Sequence, residues 1–347
     1  MLRWLGRLLL VLVLGLALLL APVAYNDLAC TAPTDSEDYA AILPPEQHRA
    51  EARTLLTYPE WHIVHAYDDY ARVIGDGDPH DYAFLPAITG YWSSLCALTT
   101  AAAEHGGMDT GAKQLVYTIG VSFTAELLAK AAYEETLGRL FASLRGPEPA
   151  PLDRLTAQQA AEYAQFLQQV PWYKWDFDGA AVALSENATD ALRDRERSLA
   201  VGLEYRFKSA YAGLIAQAVE SVGADALRLQ MVVTGLEAEA LAALPDVQVI
   251  REEDAGLVIE TPRYRALTRL LERMAAEGAD FVEIAGNDDV LYTAVSVFPQ
   301  ADGALFSFDR QGYGDTRHLF LTKVTRLADD LRAMEGRQMT LEHVHDY

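Results

Sequence analysis

The sequence predicts an α+β protein with an N-terminal membrane helix, an α-helical domain, and then a tandem, duplicated ferredoxin-like α+β module. Three observations predict it. The run from Leu8 to Tyr25 is uncharged and Leu-rich; apolar residues recur at helical spacing from about Pro45 to Val222; beyond Val222 the period becomes alternating. The implied boundaries are 1–30 for a transmembrane anchor, 31–44 for a linker, 45–225 for the helical domain and 226–347 for the duplicated module.

Arg3 and Arg7 precede the apolar run, and the next charges are Asp27, Asp35, Glu37 and Asp38. The run is near the lower limit of the 17–25 residues, roughly, that cross a ~30 Å hydrocarbon core. Basic residues before it, with none close after it, predict a single pass with the body outside the cytoplasm. Cleavage is disfavoured because Pro22 or Asp27 would stand at −3, for Ala24 or Ala29 as the last residue removed. Asp27-Leu28-Ala29-Cys30 is a degenerate lipoprotein box, so the expectation is an uncleaved anchor. Cys30 and Cys96 are expected to be two unpaired thiols, pairing in an oxidising compartment being the alternative.

Composition narrows the function classes. At 51% hydrophobic and 22% charged, with 2 cysteines in 347 residues, the chain is neither disordered nor built on a cysteine framework. A net charge of −22, from 28 Lys+Arg against 50 Asp+Glu, leaves no basic face for nucleic acid.

Within the helical domain, Thr57-Tyr58-Pro59-Glu60 has capping-box spacing with proline in the first turn. The helix it opens carries Ile63, Val64, Tyr67, Tyr70, Ala71 and Ile74 on one stripe. Further helical stretches are read from about Pro86 to Glu104, Thr110 to Leu144, Leu155 to Val170 and Thr189 to Val222, with Pro171–Asp178 as an aromatic loop. Tyr82 to Ala103 is free of charge, but Pro86, Gly90 and its Ser and Thr residues favour a buried or interfacial helix over a second span. In the last region, strands at Arg228–Thr234, Val247–Glu252, Gly256–Thr261 and Asp280–Ala285 alternate with helices Glu237–Leu244 and Arg263–Glu277. This is the β-α-β-β-α-β order of the ferredoxin-like arrangement. Strands Leu291–Phe298, Ala304–Asp309, Arg317–Val324 and Met339–Asp346, with helix Arg326–Met334, partly repeat it.

The principal candidate site is a polar seam. Phe123, Glu126, Lys130, Tyr133, Leu137 and Phe141 recur every three or four residues, and Val201, Glu204, Lys208, Tyr211, Ile215 and Val219 repeat that stripe. Each stripe sets a Glu and a Lys four apart within an apolar arc. Desolvating such ions costs several kcal/mol each, roughly, unless geometry and extra hydrogen bonds offset it. Tyr133 and Tyr211, one turn on, are placed to supply those bonds. Either the two helices pack face to face with the ion pairs fixing register, or the seam is a polar pocket. The match ends where Ile119 faces Arg197, so the run Arg193-Asp194-Arg195-Glu196-Arg197 is expected to be solvated.

Tyr58, His62, His65 and Asp69 form a second, weaker cluster, a metal-ligand-like stripe opposite the apolar face and expected to be solvated. No second ligand set lies near it in sequence, and no metal or cofactor is assigned. His343 and His345 share a strand face that excludes Glu342 and Asp346, and are expected at the surface.

Thr57-Tyr58-Pro59-Glu60-Trp61, then Ser122-Phe123-Thr124 leading to Tyr133-Glu134 and Gly138-Arg139, and the closing Glu342-His343-Val344-His345-Asp346-Tyr347 together resemble an uncharacterised family of bacterial membrane-anchored proteins. The resemblance implies a bacterial inner-membrane setting, and with the charge pattern a periplasmic body. It implies no activity. The expected role is a membrane-anchored extracytoplasmic binding or assembly protein, with a protein or a small ligand as partner. The alternatives are a small-molecule or lipid enzyme using Glu126, Lys130, Glu204 and Lys208 as acid–base groups, and a ligand sensor.

Overall fold

The architecture is that of a computed structural model, which describes residues 2–30, 32, 39–49, 55, 58–103, 107–108, 110–222 and 227–345. It is α+β, with helices first and two antiparallel four-stranded sheets after them.

Helix α1 (Leu2–Ala29) exposes Leu9, Leu10, Val13, Leu14, Leu16 and Leu18. Among the described residues, its C-terminal end is tied to the body, at α3 (Phe84–Ala102) and α4 (Thr110–Tyr133). Asn26 is fully buried and donates to the Trp92 carbonyl at 3.2 Å, and Asp27 pairs with Lys113 at 3.3 Å. Cys30 and Cys96 are joined in a disulfide, which corrects the expectation of two thiols. The helix docks where their side chains meet, a proximity that 66 residues of separation conceal in the sequence.

Helix α2 (Tyr58–Asp76) is central, and α3 packs beside it as a core helix through Phe84, Ile88, Tyr91, Trp92 and Leu95. α4 comes close to α3 because Gly120 leaves room: a Cβ there would lie 2.4 Å from Tyr91 Cε1. The helix read as continuous from Thr110 to Leu144 is interrupted by a π-turn, Glu134–Gly138, before α5 (Arg139–Arg145). The widened turn carries the buried Glu134, which meets Arg197. α6 (Pro151–Leu167), α7 (Phe177–Asn187) and α8 (Leu192–Val222) complete the helical part. α7 begins inside the expected aromatic loop, where Asp176 caps it by accepting from Gly179 N–H at 2.8 Å. The loop's Trp172, Tyr173 and Trp175 pack around the buried core of Tyr163, Phe177 and Ala212.

The first sheet has strand order β2-β3-β1-β4, from β1 (Arg228–Thr234), β2 (Gln248–Glu253), β3 (Gly256–Pro262) and β4 (Asp280–Ile284). The second has order β6-β7-β5-β8, from β5 (Asp289–Ser296), β6 (Phe306–Asp309), β7 (Thr316–Lys323) and β8 (Thr340–His345). The short α9 (Ala238–Ala242) follows β1, whereas no helix joins β5 to β6. α10 (Tyr264–Glu277) and α11 (Val324–Ala333) share one core with both sheets, including Met231, Phe281, Leu271, Tyr292 and Leu327.

Each sheet's other face is covered. Over the first runs the end of the segment read as a linker: Leu43 packs on Val232 and Val258, and buried Glu283 accepts from the Tyr39 hydroxyl and from Ile42 and Leu43 N–H. Gly286 lets this segment settle, since it has a left-handed φ of +82° and the His48 ring sits 2.3 Å from where a Cβ would be. Over the second sheet lies α2, with Tyr58 and Trp61 against Leu291 and Leu319. The β6–β7 loop clasps the helices from outside. Gln311 pairs with both backbone groups of Ala83, at 2.7 and 3.0 Å, and its N–H donates to Asp69 at 3.1 Å.

Candidate functional site

α2 is buried on two faces. Tyr67, Tyr70 and Ile74 turn toward the other helices, while Tyr58, Trp61, His62, His65 and Asp69 turn toward the second sheet. The expectation that this second stripe is solvated is therefore overturned: Tyr58 is 0%, His62 2%, His65 6% and Asp69 4% exposed. An amphipathic pattern reports one apolar face, and here a sheet carrying its own polar groups covers the other.

The covering groups come from the end of the chain. His343 and His345 are buried as well, contrary to the surface placement expected of them. The strand face expected to exclude Glu342 does not exclude it. β8 pairs Leu341 with Ala294 and His343 with Thr293, so Glu342 is an extra residue in a bulge that re-aims its side chain. Its carboxylate takes a two-pronged bond from fully buried Arg317, at 2.6 Å for Nη2, and lies 3.7 Å from His65 Nε2. Asp346 lies outside the described residues.

Trp61 organises the imidazoles, stacking on His343 with ring centroids 3.4 Å apart and lying 5.7 Å from His345 and 5.9 Å from His65. The Thr268 hydroxyl holds His343 Nδ1 at 3.0 Å and accepts from Val344 N–H. His62 bonds the Ala87 carbonyl at 2.9 Å. Burial is the main cause of each perturbed titration. It pushes His62 down to about 4 and His345 to about 3, takes His65 and His343 well below the usual imidazole range, and lifts Asp69 to about 7 against the pull of Arg317. The four imidazoles are therefore neutral at pH 7.

A cleft of about 780 Å³ opens onto this cluster between α2, α6, β5 and β8. Trp61 and His65 of α2 and Glu342 and His343 of β8 line its inner wall, Gln158 and Gln165 stand on α6 with Gln168 just past its end, and Arg72, Arg265 and Arg310 lie around it. Ala71, Gly75, Ala157 and Ala161 leave the space open where α2 and α6 face each other. Several polar atoms around the cluster are buried without a hydrogen-bond partner among the described residues: Tyr58 Oη, His62 Nδ1, His65 Nε2, Asp69 Oδ1, Arg310 Nε, Arg317 Nη1 and His343 Nε2. Such a concentration in one place is unusual, because buried polar groups are nearly always paired.

The seam residues also meet, but crosswise. Lys208 pairs with Glu126 at 2.7 Å and Lys130 with Glu204 at 3.1 Å, each across α4 and α8, with Lys208–Glu204 at 3.2 Å within α8. The stabilising hydroxyl is supplied by Tyr67 of α2, which donates to Glu126 and accepts from Lys208 at 2.9 Å. Lys130 lies over the Tyr70 ring, 4.3 Å from its centroid. Burial alone would raise the Glu204 carboxyl, yet Lys130 and Lys208 outweigh it and hold it at about 2. The expected tyrosines act elsewhere. Tyr133 donates to Glu196, and Tyr211 is half exposed and stacked on Trp172. The Val219 side chain lies outside the described residues.

The charged run beyond the seam is not solvated either. Arg193, Asp194, Glu196 and Arg197 are buried, while Arg195 alone faces solvent. Arg197 meets Glu134 at 2.9 Å, Arg193 meets Asp153 and Glu196 at 2.8 Å each, and Arg145 bridges Asp78 and Asp153. The π-turn and the start of α6 bring these acids in from distant sequence, which is why the run reads as a solvated end.

Among the described residues, the one grouping of at least three His, Cys, Asp or Glu ligand atoms within 4.8 Å of one another is Asp78, His80 and Asp81. Asp78 there is occupied by Arg145. Comparison with protein-family models, curated proteins and solved structures finds no match.

Proposed function

We propose that this is a membrane-anchored, extracytoplasmic protein that binds a small molecule in the cleft between α2, α6 and the second sheet. The single observation carrying the reading is that a roomy cleft ends on buried, incompletely bonded polar groups drawn from both ends of the chain. Ligand sites combine concave space with a few convergent polar groups whose titration is perturbed. The seam serves as structural register between α4 and α8, because its charged atoms are in direct contact with one another.

The anchor is α1, with the bacterial inner membrane as its setting and the body periplasmic. The uncharged run behind Arg3 and Arg7 supports this, and the Cys30–Cys96 disulfide fits an oxidising compartment. Among the described residues, Thr110–Arg145 is the one helix long and apolar enough to cross a membrane, with 28% of its most apolar window buried, while Val13–Ala29 of α1 is a shorter apolar stretch. Its packing against α2 and α3 and the ion pairs it makes with α8 favour a place in the extracytoplasmic body. The C-terminal region is a duplicated ferredoxin-like module whose second copy lacks the first helix. The equivalent strand orders of the two sheets support that reading.

An acid–base enzyme is the second reading, favoured by neutral His65 standing 3.7 Å from Glu342 at the cleft wall. The test is thermal stabilisation of the full chain in detergent by a library of small metabolites, repeated with Ala161→Trp, which fills the cleft without removing a polar contact. Compounds that raise the melting temperature of the parent and not of the variant support binding there. A set of stabilisers identical in both proteins overturns it.

A further inference from the structure

We infer that the outer face of α4, α5 and α8 lies in the extracytoplasmic leaflet beside α1, its leucines and Phe207 seated among lipid acyl chains. The inference rests on α1 being a membrane anchor and adds a second membrane contact, made by the body itself.

Reach is the first ground. As a helix the uncharged run Leu8–Tyr25 is roughly 27 Å long, slightly less than a ~30 Å hydrocarbon core. The residues just beyond it are already held by the body: Asn26 by Trp92, Asp27 by Lys113 and Cys30 by Cys96. No spacer separates the span from the body, so the helices that grip α1 stand at the bilayer surface.

Direction is the second ground. Asn26 and Cys30 meet Trp92 and Cys96 in the same order, so α1 and α3 run the same way. α4 runs against α3, since Thr99 lies near Met108 while Trp92 donates to Thr124. Descending α1 toward the bilayer therefore corresponds to advancing along α4. α8 runs against α4 in turn, through the pairs Glu126–Lys208 and Glu134–Arg197. The end of α4, α5 and the first half of α8 thus lie on the bilayer side of the docking point.

Surface chemistry is the third ground. Leu137, Leu140 and Leu144, with Leu199, Leu203 and Phe207 of the neighbouring α8, are 49% to 74% exposed. Together they open more apolar surface than the few hundred Å², roughly, that a soluble monomer leaves in one patch. Between Lys113 and Glu134 the charges of α4 are Glu126 and Lys130 alone, and both are spent in the seam. Its outward side is uncharged, with Leu115, Thr118, Ser122, Ala125, Ala129 and Ala132, in a chain of net charge −22. At the margin Arg139 is paired with Glu135 and Arg195 with Asp190, while exposed Arg206 adds a cation able to reach headgroups with its stem in apolar surroundings. Lipid rather than a second copy is the occupant, because α1 itself brings the bilayer to this face.

The test is spin-label accessibility in the full chain, held in phosphatidylcholine nanodiscs at one chain per disc with the Cys30–Cys96 disulfide intact. Labels are placed singly through Leu14→Cys in α1, Leu140→Cys, Leu203→Cys, and Glu252→Cys in β2 as the water-facing control. Oxygen concentrates in lipid and a nickel chelate in water. Leu140→Cys and Leu203→Cys should share with Leu14→Cys an excess of oxygen over nickel access, the reverse of Glu252→Cys. Nickel access prevailing at Leu140→Cys or Leu203→Cys, with Leu14→Cys in lipid, overturns the inference and leaves the anchor standing. Should those two sites then lose access to both reagents at two chains per disc, the occupant is a second copy. Nickel access prevailing at Leu14→Cys removes the anchor and the inference together.

Discussion

The imidazole of His343 and the indole of Trp61 lie ring on ring, their centroids 3.4 Å apart, and so fasten the last strand to the first helix of the body. Helix and strand could not hold this cluster separately. α2 contributes Tyr58, Trp61, His62, His65 and Asp69, while the second sheet contributes Arg317, Glu342, His343 and His345.

Trp61→Ala removes the stacking partner and leaves a void at the helix–sheet junction. Truncating a buried Trp costs about 3–5 kcal/mol, and urea unfolding of the full chain in detergent measures it. Trp61→Phe keeps an aromatic face and should recover more than half of the loss.

Arg317 and Glu342 form a pair in which the guanidinium is fully buried, the carboxylate stands at the cleft wall, and each partner's charge depends on the other. Arg317→Met should destabilise by about 3 kcal/mol, because it leaves a mostly buried carboxylate without its main partner. The double variant Arg317→Met with Glu342→Leu should regain most of it. A double variant no more stable than the single one would show that the pair contributes through more than its charges.

Stability should fall on acidification from about pH 7.5 to 4.5, and the histidines set the sign. The folded value of His62, about 4, lies below its ordinary 6.5. Its contribution is therefore complete above 6.5 and lost as pH falls toward 4, because the unfolded chain takes up the proton first. That gap amounts to roughly 3 kcal/mol when fully expressed. His345, at about 3, acts in the same direction. Asp69 acts oppositely: raised from 3.8 to about 7, it favours the fold most below 3.8 and loses that advantage as pH rises through 7. Asp69→Asn should therefore steepen the acid loss, and His62→Gln should flatten it, in unfolding curves recorded across that range.

The crosswise seam predicts unequal effects from residues that look equivalent in the sequence. Lys208→Met leaves Glu126 and Tyr67 without their shared partner and should cost about 3 kcal/mol or more. Tyr211→Phe, half exposed at a ring stack, should change stability by less than about 0.5 kcal/mol. Thermal melts of the two variants side by side measure the contrast.

Much of the α+β character is legible in the sequence. The alternation of Arg228–Thr234 gives β1 with the bounds it has in the structure, and the apolar periodicity of the helical region gives α2 and α3 to within two residues or so. α7 is not read, because Phe177–Asn187 is short and follows an aromatic cluster, although Asp176 is a usable capping signal. The candidate site is legible only in pieces. Tyr58, His62, His65 and Asp69 are visible as a stripe, and His343 and His345 as a strand face, but periodicity carries no information about a partner from the far end of the chain. The bulge at Glu342 depends on how β8 registers with β5, a property of the pair rather than of either strand. The buried arginines are misread for the same reason: Arg193 and Arg197 look solvated until Asp153 and Glu134 arrive from elsewhere.

The central claim is that histidines from α2 and β8 are buried together and neutral, with His65 and His343 at the wall of the cleft. A nitrogen-15 NMR titration of the histidine rings in the full chain tests it most directly, each signal assigned by a single His→Asn variant. The account predicts that His62, His65, His343 and His345 keep neutral-imidazole shifts down to about pH 5. Four ordinary titrations centred near 6.5 would place those rings in water and contradict it.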